Sequence, residues 1–115
     1  MDILFRNNKM QRCCNIAKEG VREWGEKTAK KLRLRLVELR AAATLAEVST
    51  VPPTRCHCVD GVRKGCWSVD LGHPFRLLFV PFGDDIKTDA NGNIDISTVH
   101  KIEIWEVEDY HGKQK

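Results

Sequence analysis

Cys66-Trp67-Ser68-Val69-Asp70-Leu71-Gly72-His73-Pro74-Phe75-Arg76-Leu77-Leu78-Phe79-Val80 is the stretch on which the fold turns. Residues 66–71 alternate, with Trp67, Val69 and Leu71 on one face, as a half-buried strand requires. Gly72-His73-Pro74 supplies turn residues, and 75–80 is apolar on both faces except at Arg76. A strand apolar on both faces lies inside a sheet, so this hairpin predicts an antiparallel sheet with 75–80 at its centre.

Upstream the period changes. Met10, Cys13, Cys14, Ala17, Val21 and Trp24 recur at helical spacing after Asn8-Lys9-Met10-Gln11, which resembles a weak capping box. Gly20 and Gly25 predict a break at one of the two. Ala29, Leu32, Leu36, Leu39 and Ala43 form a second stripe, from which Lys30, Lys31, Arg33, Arg35 and Arg40 mostly face away. Val51-Pro52-Pro53 ends the helical region. Ile3-Leu4-Phe5 suits a first strand, 99–107 suits a last one, and a polar loop runs from Gly83 to about Ser97. The order β-α-α-β-β-β describes an α+β domain: two N-terminal helices packed on a small, twisted, mostly antiparallel sheet. The 115 residues fit one domain, 1–115, with no internal repeat and no linker to divide it.

Charged residues make up 30% of the chain. No apolar run nears the length needed to span a bilayer, roughly 20 residues. Together these predict a soluble protein without membrane association. Met1 to Arg6 turns polar too soon for a signal peptide, so the expected location is the cytoplasm. Five cysteines, two of them adjacent at Cys13 and Cys14, do not suggest a closed disulfide framework. Charge is uneven. Residues 1–55 carry twelve Lys/Arg against six Asp/Glu, and residues 56–115 carry seven against ten. The basic half suits an anionic partner such as nucleic acid or an acidic protein segment; a solvated helix face is the plain alternative.

Several residues have types suited to chemistry. A lone guanidinium such as Arg76 in an apolar strand needs an anion for its donors. That anion is either a phosphate clamped at the sheet surface or a structural carboxylate, for example Asp70. Arg55, His57, Arg63 and Lys64 gather basic groups around one hairpin. Cys56, His57, Cys58 and Cys66 invite a zinc reading, but the spacing is not that of a zinc knuckle and alternation divides them between two faces, so no metal site is expected. Asp89-Ala90-Asn91-Gly92-Asn93 would put Lys87 and Thr98 at essential calcium-ligand positions, which leaves an Asn-Gly turn. Glu108-Asp109-Tyr110-His111 places a phenol and an imidazole side by side at a strand end, either as proton-transfer groups or as a polar tail.

Arg55-Cys56-His57, Gly61, residues 63–71 and His73 to Phe79, with the ending Glu108-Asp109-Tyr110-His111, resemble the HigB-like branch of the RelE/ParE toxins of type II toxin–antitoxin systems. With the helical hairpin, the resemblance covers nearly the whole chain. It implies a compact sheet with two N-terminal helices and ribosome-dependent cleavage of mRNA. It also implies neutralisation by a cognate antitoxin, often a helix-turn-helix protein. No metal and no small-molecule cofactor take part in such cleavage. By motif position it implies that Arg76 stabilises the phosphate and that His57, Tyr110 and His111 transfer protons. Arg63, Lys64, Arg55 and His73 would hold RNA. The sequence departs from the pattern at Asp60, where HigB-type toxins often carry lysine, and at Gly72 and His73, where a further basic residue is usual. The alternative is a non-catalytic binder on the same fold, either a ParE-like gyrase inhibitor or a ribosome-docking protein.

Overall fold

Asn7 starts the helical region. Its side-chain oxygen accepts the Met10 N–H at 2.9 Å, satisfying one of the donors that a first turn leaves unpaired. In this computed structural model, which describes residues 1–59 and 65–109, the chain runs β1 (Asp2–Phe5), α1 (Asn8–Asn15), α2 (Ala17–Trp24), α3 (Glu26–Ala41), β2 (His57–Cys58), β3 (Trp67–Asp70), β4 (Phe75–Pro81) and β5 (Lys101–Asp109). Single 3-10 turns at Leu45–Glu47 and Ile96–Thr98 lie between them. The fold is α+β, and among the described residues no helix is long and apolar enough to cross a membrane.

The first helical stripe is cut into two. Ile16 adopts extended angles (φ −113°, ψ 107°), closing α1 through its N–H to the Arg12 carbonyl and opening α2 through its own carbonyl, which accepts from Gly20. Gly25, at φ 87°, makes the second break, while Gly20 lies inside α2. A Cβ at Gly20 would sit 2.7 Å from the Cys13 carbonyl oxygen, so the glycine permits α1 and α2 to approach. Gly20→Ala would gain up to about 1 kcal/mol of helix propensity. The contact is with backbone, which cannot swing away, so the net expected result is a loss of roughly 1–3 kcal/mol. A urea midpoint unchanged or raised in Gly20→Ala would show that the close approach is unimportant.

The sheet order is β1-β5-β4-β3-β2, with β1 parallel to β5 and the other pairs antiparallel. The apolar strand β4 takes the central place. Trp67, Val69, Leu71, Leu77, Phe79, Ile102 and Ile104 pack with Leu32, Leu36 and Leu39 of α3 into the main core. In β5 the phase moves from Ile102 and Ile104 to Val107. Leu78 pairs with Glu106 and Phe79 with Ile104, which leaves Trp105 as the extra residue of a β-bulge. The turn at 88–94 is built as its residues require. Asp89 Oδ1 accepts the Asn91 N–H at 2.8 Å and the Asn93 N–H at 2.9 Å. Gly92 takes the left-handed conformation, with φ 83°.

Arg35 corrects the helix reading. The core stripe predicts that it faces away, yet its side chain is only 4% exposed. Nε donates to the Asp70 carbonyl at 2.7 Å, Nη2 to the Pro53 carbonyl at 3.2 Å, and Nη1 to Glu38 Oε2 at 3.0 Å. Glu38 Oε1 in turn accepts from Thr54 Oγ1 at 2.6 Å. One guanidinium thus ties α3 to the segment before β2 and to the end of β3. A planar fork with five donors can do this, whereas a lysine point charge cannot.

Candidate functional site

The sheet face opposite the helices gathers the polar residues of β2 to β5. Cross-strand partners point to the same side, so the register orders them in two rows. His57 stands opposite Ser68, Ser68 opposite Leu78 and Leu78 opposite Glu106; Asp70 stands opposite Arg76 and Arg76 opposite Glu108. Rows two residues apart are separated by roughly 7 Å along the strands. Val59, Cys66 and Leu78, with Val80 and Trp105 against them, form the apolar patch of this face, and none of them comes from a helix. Arg6 sits over the Trp105 ring, 4.5 Å from its centroid, close enough for a cation–π contact.

Arg76 is paired. Its Nε and Nη2 lie 2.8 and 2.7 Å from Glu108 Oε2, with side-chain exposures of 18% for Arg76 and 3% for Glu108. The carboxylate faces it from β5. Asp70, its neighbour on β3, is engaged elsewhere: Asp70 Oδ2 lies 3.3 Å from Arg55 Nη1. A row of alternating charge results, Arg55, Asp70, Arg76, Glu108, running across the helix-free face.

Arg55 also shapes the setting of His57. It takes left-handed angles (φ 46°), and its N–H is anchored on the Val51 carbonyl at 3.0 Å. Such angles cost a non-glycine residue roughly 1–2 kcal/mol. That conformation turns the Arg55 carbonyl toward His57 Nδ1 at 2.7 Å. A carbonyl can only accept, so Nδ1 carries the proton and Nε2 of the neutral ring presents its lone pair. Ser68 Oγ lies 3.4 Å from Nε2 and serves as a weak donor to it. The imidazole is therefore oriented, in one tautomer, with its basic nitrogen toward the strand that carries the next row.

The structure brings His57, Arg55 and Arg76 onto one face. His73 lies elsewhere, in the β3–β4 turn, beside a cavity of about 330 Å³ that is also lined by Lys27 and Lys31 of α3. Arg63, Lys64, Tyr110 and His111 lie outside the described residues. Sequence reasoning misses Glu108 as the partner of Arg76 and Arg35 as a buried tie to the Asp70 carbonyl. The signal for Glu108 is an acidic residue at the strand end, which reads equally well as solvent-facing.

Among the described residues no group of three or more His, Cys, Asp or Glu side chains is placed to hold a metal ion. Cys56 and Cys66 are buried and Cys58 is exposed. Burial pushes the Cys14 thiol up to about 12 and the Cys56 thiol up to about 11. The thiolate is the nucleophile. Iodoacetamide at pH 8 is therefore expected to modify Cys58 well before Cys14 or Cys56, the latter two reacting only on unfolding. Peptide mass spectrometry reads the order, and equal rates at Cys56 and Cys58 would contradict it.

No protein-family model and no curated protein matches the chain. Among solved structures it is similar to the YoeB-YefM complex from Staphylococcus aureus, with 14% identity, 94% of each chain covered and a TM-score of 0.52. At that identity the likeness is one of fold, the α+β arrangement of helices on one side of a five-stranded mixed sheet.

Proposed function

We propose that this chain is the toxin of a type II toxin–antitoxin pair, of the HigB-like kind, and that it cleaves mRNA on the ribosome without a metal ion. The observation that carries the proposal is the helix-free sheet face, where an oriented imidazole on β2 and Arg55 just before it stand on one flank of β3 and Arg76 on β4 stands on the other. The resemblance of the hairpin and C-terminus to the RelE/ParE toxins supports it. The fold shared with one chain of a two-protein complex agrees with a protein partner.

The chemistry follows from the groups present. The ribose 2′-oxygen attacks the adjacent phosphorus as its proton passes to a base; the P–O5′ bond breaks, and the 5′-oxygen takes up a proton. The products are a 2′,3′-cyclic phosphate and a 5′-hydroxyl. Among the described residues His57 is suited to be the base, since its Nε2 holds the lone pair. Arg76, held in orientation by Glu108, would stabilise charge on the phosphorane, with Arg55 in the same row. Tyr110 or His111 would protonate the leaving oxygen, and Arg63, Lys64 and His73 would hold RNA phosphates or ribosomal RNA. The partner would be a helix-turn-helix antitoxin.

The Arg76–Glu108 pair is the observation that favours a second reading: a non-catalytic binder on the same fold, acting on gyrase or docking on the ribosome. Induced expression separates the two. Growth arrest with new mRNA 5′ ends inside reading frames is expected, those ends carrying hydroxyls that accept adaptors only after phosphorylation. Tyr110→Phe and His111→Ala, made separately, should show which one matters through a loss of about 10²–10⁴-fold in cutting. Arrest with intact transcripts and gyrase trapped on DNA would establish the binder instead.

A further inference from the structure

The outer face of α3 carries cations that have no acidic partner among the described residues. Lys27, Lys30, Lys31, Arg33 and Arg40 make none of the ion pairs seen there, whereas Lys9, Arg22, Arg35, Arg55 and Arg76 each have a carboxylate within 3.3 Å. Within that field lie two large aliphatic side chains, Leu34 at 48% exposure and Val37 at 62%. At 100° per residue, Lys30, Leu34, Val37 and Ala41 fall on one narrow stripe, flanked by Arg33 and Arg40, with Glu26 at the first turn, on one side and by Lys27 and Lys31 on the other. On that second flank Glu38 is taken up by Arg35 and Thr54. The opposite stripe, Ala29, Leu32, Leu36 and Leu39, is buried in the core. Helix α3 is thus amphipathic toward the core and presents a second, narrower apolar seam to solvent. A single exposed Leu or Val is ordinary on a protein surface. Two adjacent ones framed by uncompensated cations along one helix form a patterned surface.

We propose that this outer face of α3 is the docking site for an acidic amphipathic helix of a partner protein. Its aliphatic residues, spaced i, i+3/i+4, i+7, would cover Leu34, Val37 and Ala41, and its Asp and Glu residues would meet Arg33 and Arg40 on one flank and Lys27 on the other. The inference rests on the function proposed above only for the existence of a partner protein. Charge selects the occupant. A second copy of this chain would set the same cations against one another. A nucleic acid would match the charge, but its phosphates gain nothing from Leu34 and Val37, and α3 carries no aromatic side chain for a base to stack on. An acidic helix satisfies both the seam and its flanks.

The test uses the full chain and a fluorescein-labelled helical peptide of five turns, with leucines at i, i+3/i+4 spacing and glutamates on both flanks. Binding is read by anisotropy. A scrambled peptide of the same composition, a short oligouridylate and phosphatidylglycerol vesicles serve as comparison probes. Leu34→Ser with Val37→Ser, which removes the seam without changing charge, should weaken the patterned peptide at least tenfold and leave oligouridylate binding and mRNA cleavage unchanged. Arg33→Gln with Arg40→Gln should weaken the peptide by a similar factor and flatten its salt dependence. Equal affinity for patterned and scrambled peptides would overturn the proposal. So would peptide binding indifferent to the serine pair, whether the arginine variants mainly cost oligouridylate binding or the serine pair mainly costs vesicle binding. A chain that cuts no mRNA yet binds the peptide through the seam would sink the cleavage reading and leave the docking site standing.

Discussion

Arg76→Ala is expected to lower mRNA cleavage by about 10²–10³-fold, the usual loss when one preorganised electrostatic group is taken from a charged transition state. The same change should also destabilise the protein, because Glu108 is 3% exposed and would keep a buried carboxylate without the guanidinium 2.7 Å away. Breaking a buried pair from one side costs on the order of 3–5 kcal/mol, and the partial exposure of Arg76 argues for the lower end. Loss of activity in the alanine variant would therefore be ambiguous by itself, and Arg76→Lys resolves it. Lysine keeps a positive charge beside Glu108, so most of the stability should remain by urea melt, but it loses the planar fork that addresses two oxygens at once. Cleavage by Arg76→Lys should still fall by at least tenfold. If the lysine variant is stable and cuts at the wild-type rate, Arg76 serves the sheet and has no part in the chemistry.

The second large effect is expected at Arg35. Arg35→Met preserves the length of the side chain and most of its volume, yet removes the donors that the Asp70 and Pro53 carbonyls receive. Replacing a whole buried ion pair with apolar residues is often neutral. Here the acceptors are backbone and cannot be replaced, and each one left unsatisfied costs about 1–3 kcal/mol. The 40% exposed Glu38 carboxylate can turn to water and adds little. A total loss of roughly 3–5 kcal/mol follows, a large part of the stability of a domain of this size. Chemical denaturation measures it; a loss below about 1 kcal/mol would mean that water replaces the guanidinium. Because Arg35 holds the carbonyl of Asp70 and Asp70 holds Arg55, the variant should also loosen the setting of His57, visible as a broadened imidazole resonance.

The hairpin from Cys66 to Val80 is legible in the sequence because alternation, turn residues and a doubly apolar strand all agree there, and the α3 core stripe is legible because four buried residues keep strict helical spacing. The break at Ile16 leaves no such trace: the apolar stripe runs on across it from Cys14 to Ala17, Ile16 itself lies off the stripe and half exposed, and the close approach of Gly20 to the Cys13 carbonyl appears only in the folded chain. The apolar pattern places the last strand at 99–107, whereas it runs Lys101–Asp109; Val99 is apolar because it is buried after the preceding 3-10 turn, outside the ladder. At the site, the sequence singles out Arg76 as needing an anion and cannot choose Glu108 over Asp70. That choice depends on β4 lying between β3 and β5, with a partner 32 residues away. The burial of Arg35 is hidden for a related reason: two of its three acceptors are carbonyls of segments remote in sequence, and carbonyls carry no residue-type signal.

The position of β5 in the sheet bears on how the chain comes together. Ile3 pairs with Ile102 and Phe79 with Ile104, so β1 and β4 meet only through a strand near the far end of the sequence. While the chain is being made, the helices and the β3–β4 hairpin can form from local contacts, but both the inner edge of β4 and β1 remain unpaired until residues 101–109 emerge. Closing that gap joins segments about a hundred residues apart, and loop-closure entropy delays such pairings. The charge row of the helix-free face is completed by the same event, because Glu108 arrives with β5. A nascent chain stopped short of β5 therefore holds Arg76 without the carboxylate that orients it, and the sheet face is assembled last.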